Sequence, residues 1–304
     1  MAGPKTAIKK SNLKRYGPFD YFNVFFFVIM MAVMILPFWT VLMTSLVTSG
    51  EYFSTPFIIW PKNINLLSYK FIFASPKLTN AMIVTVTITL VGVVYSMIMT
   101  TTLAYGLKKK TLIGRNFLLT LLIITMYFSG GLIPYYLLIR NIGLYNNILV
   151  YILPSAISVW YFMIIKAFFN QLPESLEESA RIDGANDLYI FIRIMLPLST
   201  PTLATFALFY GVEYWNTWWT SLLFITNDKL HTLQMVLRRL IVQNERPVEM
   251  SQAFLTMDGA KSAILFEDGI RMATVVVATV PILLVYPFLQ KYFVKGITLG
   301  SIKG

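Results

Sequence analysis

The chain has no cysteine and a single histidine in 304 residues, and its 14 acidic residues are outnumbered by 25 basic ones. Without cysteine there is no disulfide framework, no thiol chemistry and no lipoprotein anchor. No G-x-x-x-x-G-K-[S/T] string occurs, so the chain does not cradle nucleotide phosphates by that device. Asp258-Gly259-Ala260-Lys261-Ser262 has some of the letters but lacks the first glycine. H-E-x-x-H is absent too. His231 stands near Lys229 and is expected to be an ordinary loop residue, so neither a metal site nor histidine-based catalysis is expected. No acid cluster or nucleophile–base pair marks a catalytic residue. Any energy source must be another protein.

Charge itself is scarce. Charged residues make up 13% of the chain and hydrophobic ones 57%, with a mean hydropathy of +0.67. A soluble domain carries about a quarter charged residues. Residues 21–50, 78–107, 116–139, 141–165 and 272–290 hold no Asp, Glu, Lys or Arg, and 194–227 is interrupted only by Glu213. Each run approaches or exceeds the roughly 20 residues a helix needs to cross hydrocarbon. The expected fold is an all-α integral membrane protein with six transmembrane helices. The first apolar run is too long for a signal-peptide core and is expected to be a retained span.

The +11 net charge is mostly a topology signal, not a nucleic-acid surface. With the N-terminus inside, Lys5, Lys9, Lys10, Lys14 and Arg15 are cytoplasmic, as are Lys108, Lys109, Lys110 and Arg115. So are the 173–197 segment and a tail carrying Lys291, Lys295 and Lys303. Short basic loops favour this orientation over its reverse. The expected division is a cytoplasmic segment 1–20, a six-span domain 21–292 and a cytoplasmic tail 293–304. An outer loop spans 225–270, longer than connectors usually are. Within it, Leu233, Val236, Leu237, Leu240 and Ile241 have helical spacing. This amphipathic helix is expected either to support an extracellular binding protein or to pack on a partner subunit.

One polar stretch interrupts the apolar pattern: Pro173 to Pro197, PESLEESARIDGANDLYIFIRIMLP. Pro173 suits the first turn of a helix. Glu174, Glu177 and Glu178 complement that helix's positive end. Gly184 suits a left-handed C-terminal stop. Asn186 or Asp187 can cap a second helix running to Met195, which Pro197 then bends. A short helix, a glycine turn and a second helix are expected.

The same residues carry a resemblance. Glu178-Ser179-Ala180, three residues, Gly184, nine residues and Ile194-Met195-Leu196-Pro197 resemble the EAA loop of bacterial ABC importer permeases, E-A-A-x3-G-x9-I-x-L-P. Ser179 departs from the usual first alanine. The ending Gly296 to Gly304 is similar to the tail of the maltose-transporter permease. Pro61–Phe73, Ile133-Pro134-Tyr135-Tyr136, Asn141–Asn147, Ile152-Leu153-Pro154 and Trp215-Asn216 resemble other landmarks of carbohydrate-uptake permeases.

This resemblance implies the type I ABC importer permease fold with a cytoplasmic coupling helix, in the bacterial cytoplasmic membrane with both termini inside. It implies a second permease subunit, two ATPase subunits, an extracellular substrate-binding protein and an oligosaccharide substrate, with acidic polysaccharide fragments included by the subgroup resemblance. No cofactor is bound directly; ATP and Mg serve the partner ATPase. The coupling residues it implies are Glu177, Glu178, Ser179, Ala180, Ile182, Asp183, Gly184, Ala185, Leu196 and Pro197. Ala180 and Ile182 are expected to enter a cleft of the ATPase, with Glu178 and Asp183 at its rim. Small size at 179, 180 and 184 is expected to permit close backbone approach. An importer of peptides or amino acids shares the loop and stays open as an alternative, as does a channel or secondary transporter.

The fifth expected span reads Phe209-Tyr210-Gly211-Val212-Glu213-Tyr214-Trp215-Asn216-Thr217-Trp218-Trp219. Aromatic plates beside amide and carboxylate groups suit sugars, and an acid within a span should face a cavity or a partner. Glu213, Tyr214, Asn216 and Trp218 are therefore substrate-path candidates. The competing reading places this cluster at the membrane interface, where Trp and Tyr collect.

Overall fold

The computed structural model describes residues 17–55, 57–242 and 267–300, with side chains omitted for residue 286 and residues 288–300. Among the described residues every regular element is helical. The long first helix α1 (Pro18–Thr44) opens on Pro18 and leads through α2 (Ser49–Ser54) and α3 (Leu67–Ala74) to α4 (Pro76–Lys108). Ser75 caps α4 by accepting the Leu78 N–H, and Pro76 fills its first turn. Then follow α5 (Arg115–Tyr127), α6 (Leu132–Asn141), a 3-10 turn (Ile148–Tyr151) and α7 (Val159–Gln171).

The polar stretch from Pro173 supplies α8 (Glu174–Ile182), α9 (Asp187–Ile190), a π-helical turn (Phe191–Met195) and α10 (Leu196–Leu198). Beyond it lie α11 (Thr200–Trp215), α12 (Trp219–Phe224), α13 (Leu233–Val242) and α14 (Glu267–Gly300).

Three of these helices are long and apolar enough to cross a membrane: α1, α4 and Glu267–Val285 of α14. Arg115–Tyr127 with Leu132–Asn141, bent by 120°, and Asp187–Leu198 with Thr200–Trp215, bent by 84°, raise the number to five if each pair is one span. Six were expected. The run 141–165 is uncharged but is no single helix: Gly143 and Asn146 take positive φ there, and α7 begins only at Val159. At 1.5 Å per residue α7 is about 20 Å long, short of a hydrocarbon core of about 30 Å. The segment expected to be a tail from residue 293 continues α14 to Gly300, and residues 301–304 lie outside the described ones.

Helix α4 is the central mast. Its first turns join Ile72, Leu233, Val236, Leu240 and Ile270 in one apolar cluster. Val84 and Ile88, further along, join Ile139, Tyr151 and Phe224 in another. Its last turns, through Ala104, Tyr105 and Leu107, pack with Phe162, Ile165, Phe169 and Phe191. Two hydroxyl pairs lock α4 to α11: Ser96 with Tyr214 and Thr100 with Tyr210, each at 2.8 Å. Gly92 is required at this crossing, because a Cβ there would meet the Tyr214 ring at 2.7 Å. The face of α1 from Phe19 to Phe38 is exposed and apolar, as a lipid-facing surface must be.

Candidate functional site

The coupling loop is built by two adjoining caps. At the end of α8 the Ala185 N–H donates to the Ala180 carbonyl at 2.9 Å and the Gly184 N–H to the Arg181 carbonyl at 3.0 Å. These are the paired bonds of a Schellman stop, and Gly184 supplies its left-handed residue with φ +85°. Two residues later Asn186 accepts the Tyr189 N–H at 2.8 Å and opens α9. The helix, glycine turn and second helix expected from the sequence are all present. Pro173 differs by one position, standing as the cap before α8 and not within its first turn.

The expected proline bend is displaced as well. The 84° angle falls between Leu198 and Thr200, beyond Pro197. Pro201 has no N–H to return to the Pro197 carbonyl, which instead accepts the Thr200 hydroxyl at 2.7 Å.

Side-chain placement divides the ten coupling candidates. Ala180, Ala185 and Leu196 are half-buried against the chain's own cluster around Phe191 and Phe169. Ala180 was expected to enter a partner's cleft; within this chain its half-buried methyl packs against the chain's own cluster. Glu178, Ser179, Ile182, Asp183, Gly184 and Pro197 are exposed. Ile182, at 86% exposure, is an apolar side chain on a polar helix, left uncovered among the described residues. Leu188, Tyr189 and Ile192 are exposed nearby. The surroundings of Gly184 also change its explanation: a Cβ there meets nothing within 4 Å. Within this chain the glycine is needed for its backbone angle and not for lack of room.

Glu177 points inward, to an ion pair with Lys108 at the end of α4. Asp187 pairs with Lys109, and Arg181 lies 3.4 Å from Asp187 and 4.0 Å from Glu177. Lys110 reaches Glu174 at 3.5 Å with both groups exposed. The Lys109 ammonium also lies 4.9 Å over the Tyr105 ring, which stacks on Phe191 at 5.1 Å. The lysine run that served as a topology signal is therefore also a set of contacts to the coupling loop, a role that spacing in the sequence could not reveal.

The four substrate-path candidates do not form one surface. Tyr214 is buried, its ring over Gly92 and its hydroxyl on Ser96, so it packs α11 on α4. Glu213 is exposed and accepts the Tyr161 hydroxyl at 2.5 Å. Asn216 is exposed one turn on, donating to the Val212 carbonyl at 2.9 Å. Trp218 meets Trp219 edge-on at 5.4 Å, with the Arg238 guanidinium 4.8 Å above its ring. Tyr161 was missed by the sequence reading. Its rings of contact, Phe206 at 5.2 Å, Phe209 at 5.8 Å and Tyr210 at 4.9 Å, place an aromatic wall beside the Glu213 carboxylate.

Helix α13 forms as its periodicity predicted, and it inserts Leu233, Val236 and Leu240 among α3, α4 and α14 of the same chain. Neither a platform nor a partner contact was needed to explain that face. Ile241 remains exposed. Residues 243–266, the rest of the long loop, lie outside the described ones. His231 is fully buried, unlike the ordinary loop residue expected. Ser221 Oγ lies 2.9 Å from its Nδ1 and Arg239 Nη2 3.0 Å from its Nε2. Nε2 thus faces a group that only donates, and the Asp228 carboxylate, which only accepts, lies 3.3 Å from the same nitrogen. Among the described residues no three of His, Cys, Asp and Glu gather as a metal site.

The chain belongs to the family of binding-protein-dependent transport system inner membrane components, whose profile matches residues 111–299. It has the type I importer permease fold, and it is a non-catalytic subunit, with ATP hydrolysis left to a separate one. The Bacillus subtilis protein LplC is 43% identical over 293 residues, covering 96% of this chain and 97% of that protein. The polygalacturonan/rhamnogalacturonan transport system permease protein YtcP of the same organism is 41% identical over 286 residues, covering 94% and 98%. Among solved structures, a bacterial ABC transporter involved in the import of the acidic polysaccharide alginate matches with a TM-score of 0.84 at 27% identity, covering 91% of this chain and 99% of that one. The resemblance to carbohydrate-uptake permeases is met by these relatives.

Proposed function

We propose that this chain forms half of the translocation path of an ATP-driven importer for oligosaccharides derived from polysaccharides, acidic ones included. A second, related permease completes the path, two ATPase subunits drive it with ATP and Mg, and an extracellular binding protein delivers the sugar. Both termini and the coupling loop lie on the cytoplasmic side of the bacterial membrane, in keeping with the basic residues around Lys108. Closure of the ATPase dimer displaces α8, and the path opens alternately to each side. The exposed coupling face, Ile182 with Glu178, Ser179 and Asp183 around it, is the observation that carries this reading. The substrate class is supported by the relatives' transport of polygalacturonan and alginate.

Glu213 is proposed to face the path together with Asn216 and Trp218, because an acid within a span is costly against lipid and faces a cavity or a partner instead. Tyr214 keeps the packing role described above.

The absence of native cysteine makes the test direct. Ser179→Cys, crosslinked in native membranes, is expected to give one product heavier by an ATPase subunit and altered in yield by ATP. No adduct from correctly inserted protein would remove the docking assignment.

A further inference from the structure

Two routes connect the coupling loop to the rest of the subunit, and only one follows the chain. The covalent route leaves through α10 and turns by 84° into α11, a bend around Ser199 with a proline on each side. A bend of this kind is a compliant joint. The second route crosses space to α4. Glu177, on the inner face of α8, meets Lys108, with side chains only 12% and 9% exposed respectively. Asp187, at the start of α9, meets Lys109, whose ammonium also rests over Tyr105. Tyr105 in turn stacks on Phe191. Both arms of the loop are thereby held to the last turn of one unbroken helix.

Lysines at a helix C-terminus on the cytoplasmic side have two simple explanations, the helix dipole and membrane orientation. Neither requires a partner. A lysine that meets those needs alone can stay in water, and Lys110 does so even while it reaches the exposed Glu174. Lys108 instead gives up its hydration to reach one carboxylate. A buried ion pair is a weak source of stability, since desolvation offsets the attraction, but it tolerates little misplacement. Its value here is geometric.

We propose that Lys108 and Lys109 are positioning residues that strut α8 and α9 to α4, so that the coupling loop and α4 move as one body during the transport cycle. The inference rests on the proposed docking of this loop to an ATPase. Helix α4 is suited to carry that motion: it is 33 residues long, and hydroxyl pairs at Ser96 and Thr100 tie it to α11. At its far end Thr85 accepts the Leu233 N–H at 2.8 Å. A push on α8 would reach the outer face through α4, bypassing the bend at Ser199.

The test uses the assembled transporter with nitroxide labels at Thr87→Cys on α4 and Ser175→Cys on α8. Inter-label distances are recorded without nucleotide and after trapping with Mg-ATP and vanadate. In the parent the distribution is expected to be the same in both states. In Glu177→Lys it should broaden and shift with nucleotide, and Lys108→Glu combined with Glu177→Lys should restore the parent's behaviour. Glu177→Gln, the milder change, should shift in the same direction and serves if the reversal misfolds. A nucleotide-dependent distance in the parent, or insensitivity in Glu177→Lys and Glu177→Gln alike, would overturn the proposal. The Ser179→Cys adduct is scored alongside. Its absence from the parent sinks the docking assignment and this inference with it, whereas its presence with a mobile parent distance sinks the strut alone.

Discussion

Tyr210 sets its hydroxyl 2.8 Å from the Thr100 hydroxyl and accepts the Ser158 N–H at 2.9 Å, so one phenol joins α11, α4 and the start of α7. The ring is buried. Its edge-on contact with Tyr161 at 4.9 Å links this junction to the wall beside Glu213.

Removing that hydroxyl leaves the Ser158 N–H and the Thr100 hydroxyl to find other partners. Tyr210→Phe keeps the ring and is expected to cost about 1–3 kcal/mol, the desolvation penalty of orphaned polar groups. Purified subunit in detergent should show a lower apparent melting temperature. An unchanged melting temperature would mean that water replaces the hydroxyl at no cost.

Gly184 gives a prediction with a built-in control. Its φ of +85° disfavours any side chain by about 1–2 kcal/mol, and β-branched residues most of all. Gly184→Val should insert into the membrane normally but lose stimulation of ATP hydrolysis by substrate and binding protein. Gly184→Asn, which tolerates the left-handed region, should retain most of it. Equal loss in both variants would point to a contact outside this chain as the reason for glycine; normal stimulation in Gly184→Val would contradict the cap argument.

The network around His231 should respond to acid. Burial first, and then the neighbouring Arg239 guanidinium, hold His231 below its ordinary value of 6.5. The unfolded chain therefore binds a proton that the folded chain resists. Stability is fully present above about pH 6.5 and declines as pH falls toward the lower folded value. His231→Gln offers Arg239 an acceptor and Ser221 a donor without titrating. Melting temperature plotted against pH should fall less steeply on the acid side in this variant than in the parent; superimposable curves would exclude His231 as the source.

The sequence was informative where local chemistry dictated shape. Gly184 and Asn186 were readable as caps because each acts on backbone groups within a few residues. The spacing of Leu233, Val236 and Leu240 revealed α13, but not which surface would cover it. Span lengths were less accessible. An uncharged run says that a segment avoids water-exposed charge, not that it is one helix. Thus 116–139 breaks by 120° near Gly130 and Gly131, and 141–165 is punctuated by Gly143, Asn146 and Pro154. Those breakers were visible, yet hydropathy alone passes over them. Glu177 with Lys108, and Glu213 with Tyr161, lie 69 and 52 residues apart. No periodicity or motif in a single chain encodes such pairings.

The back-to-back caps at Gly184 and Asn186 have a consequence for assembly. The backbone bonds that shape this turn are made between residues of the turn itself, and the ion pairs of Glu177 and Asp187 hold it to α4 of the same chain, so its outline exists before any other subunit arrives. The receiving surface need not spend association energy on ordering it, and little conformational entropy is lost on contact. Exchange of one ATPase for another among related transporters then becomes a question of matching side chains on a rigid template, with Ile182 the most prominent feature to be matched.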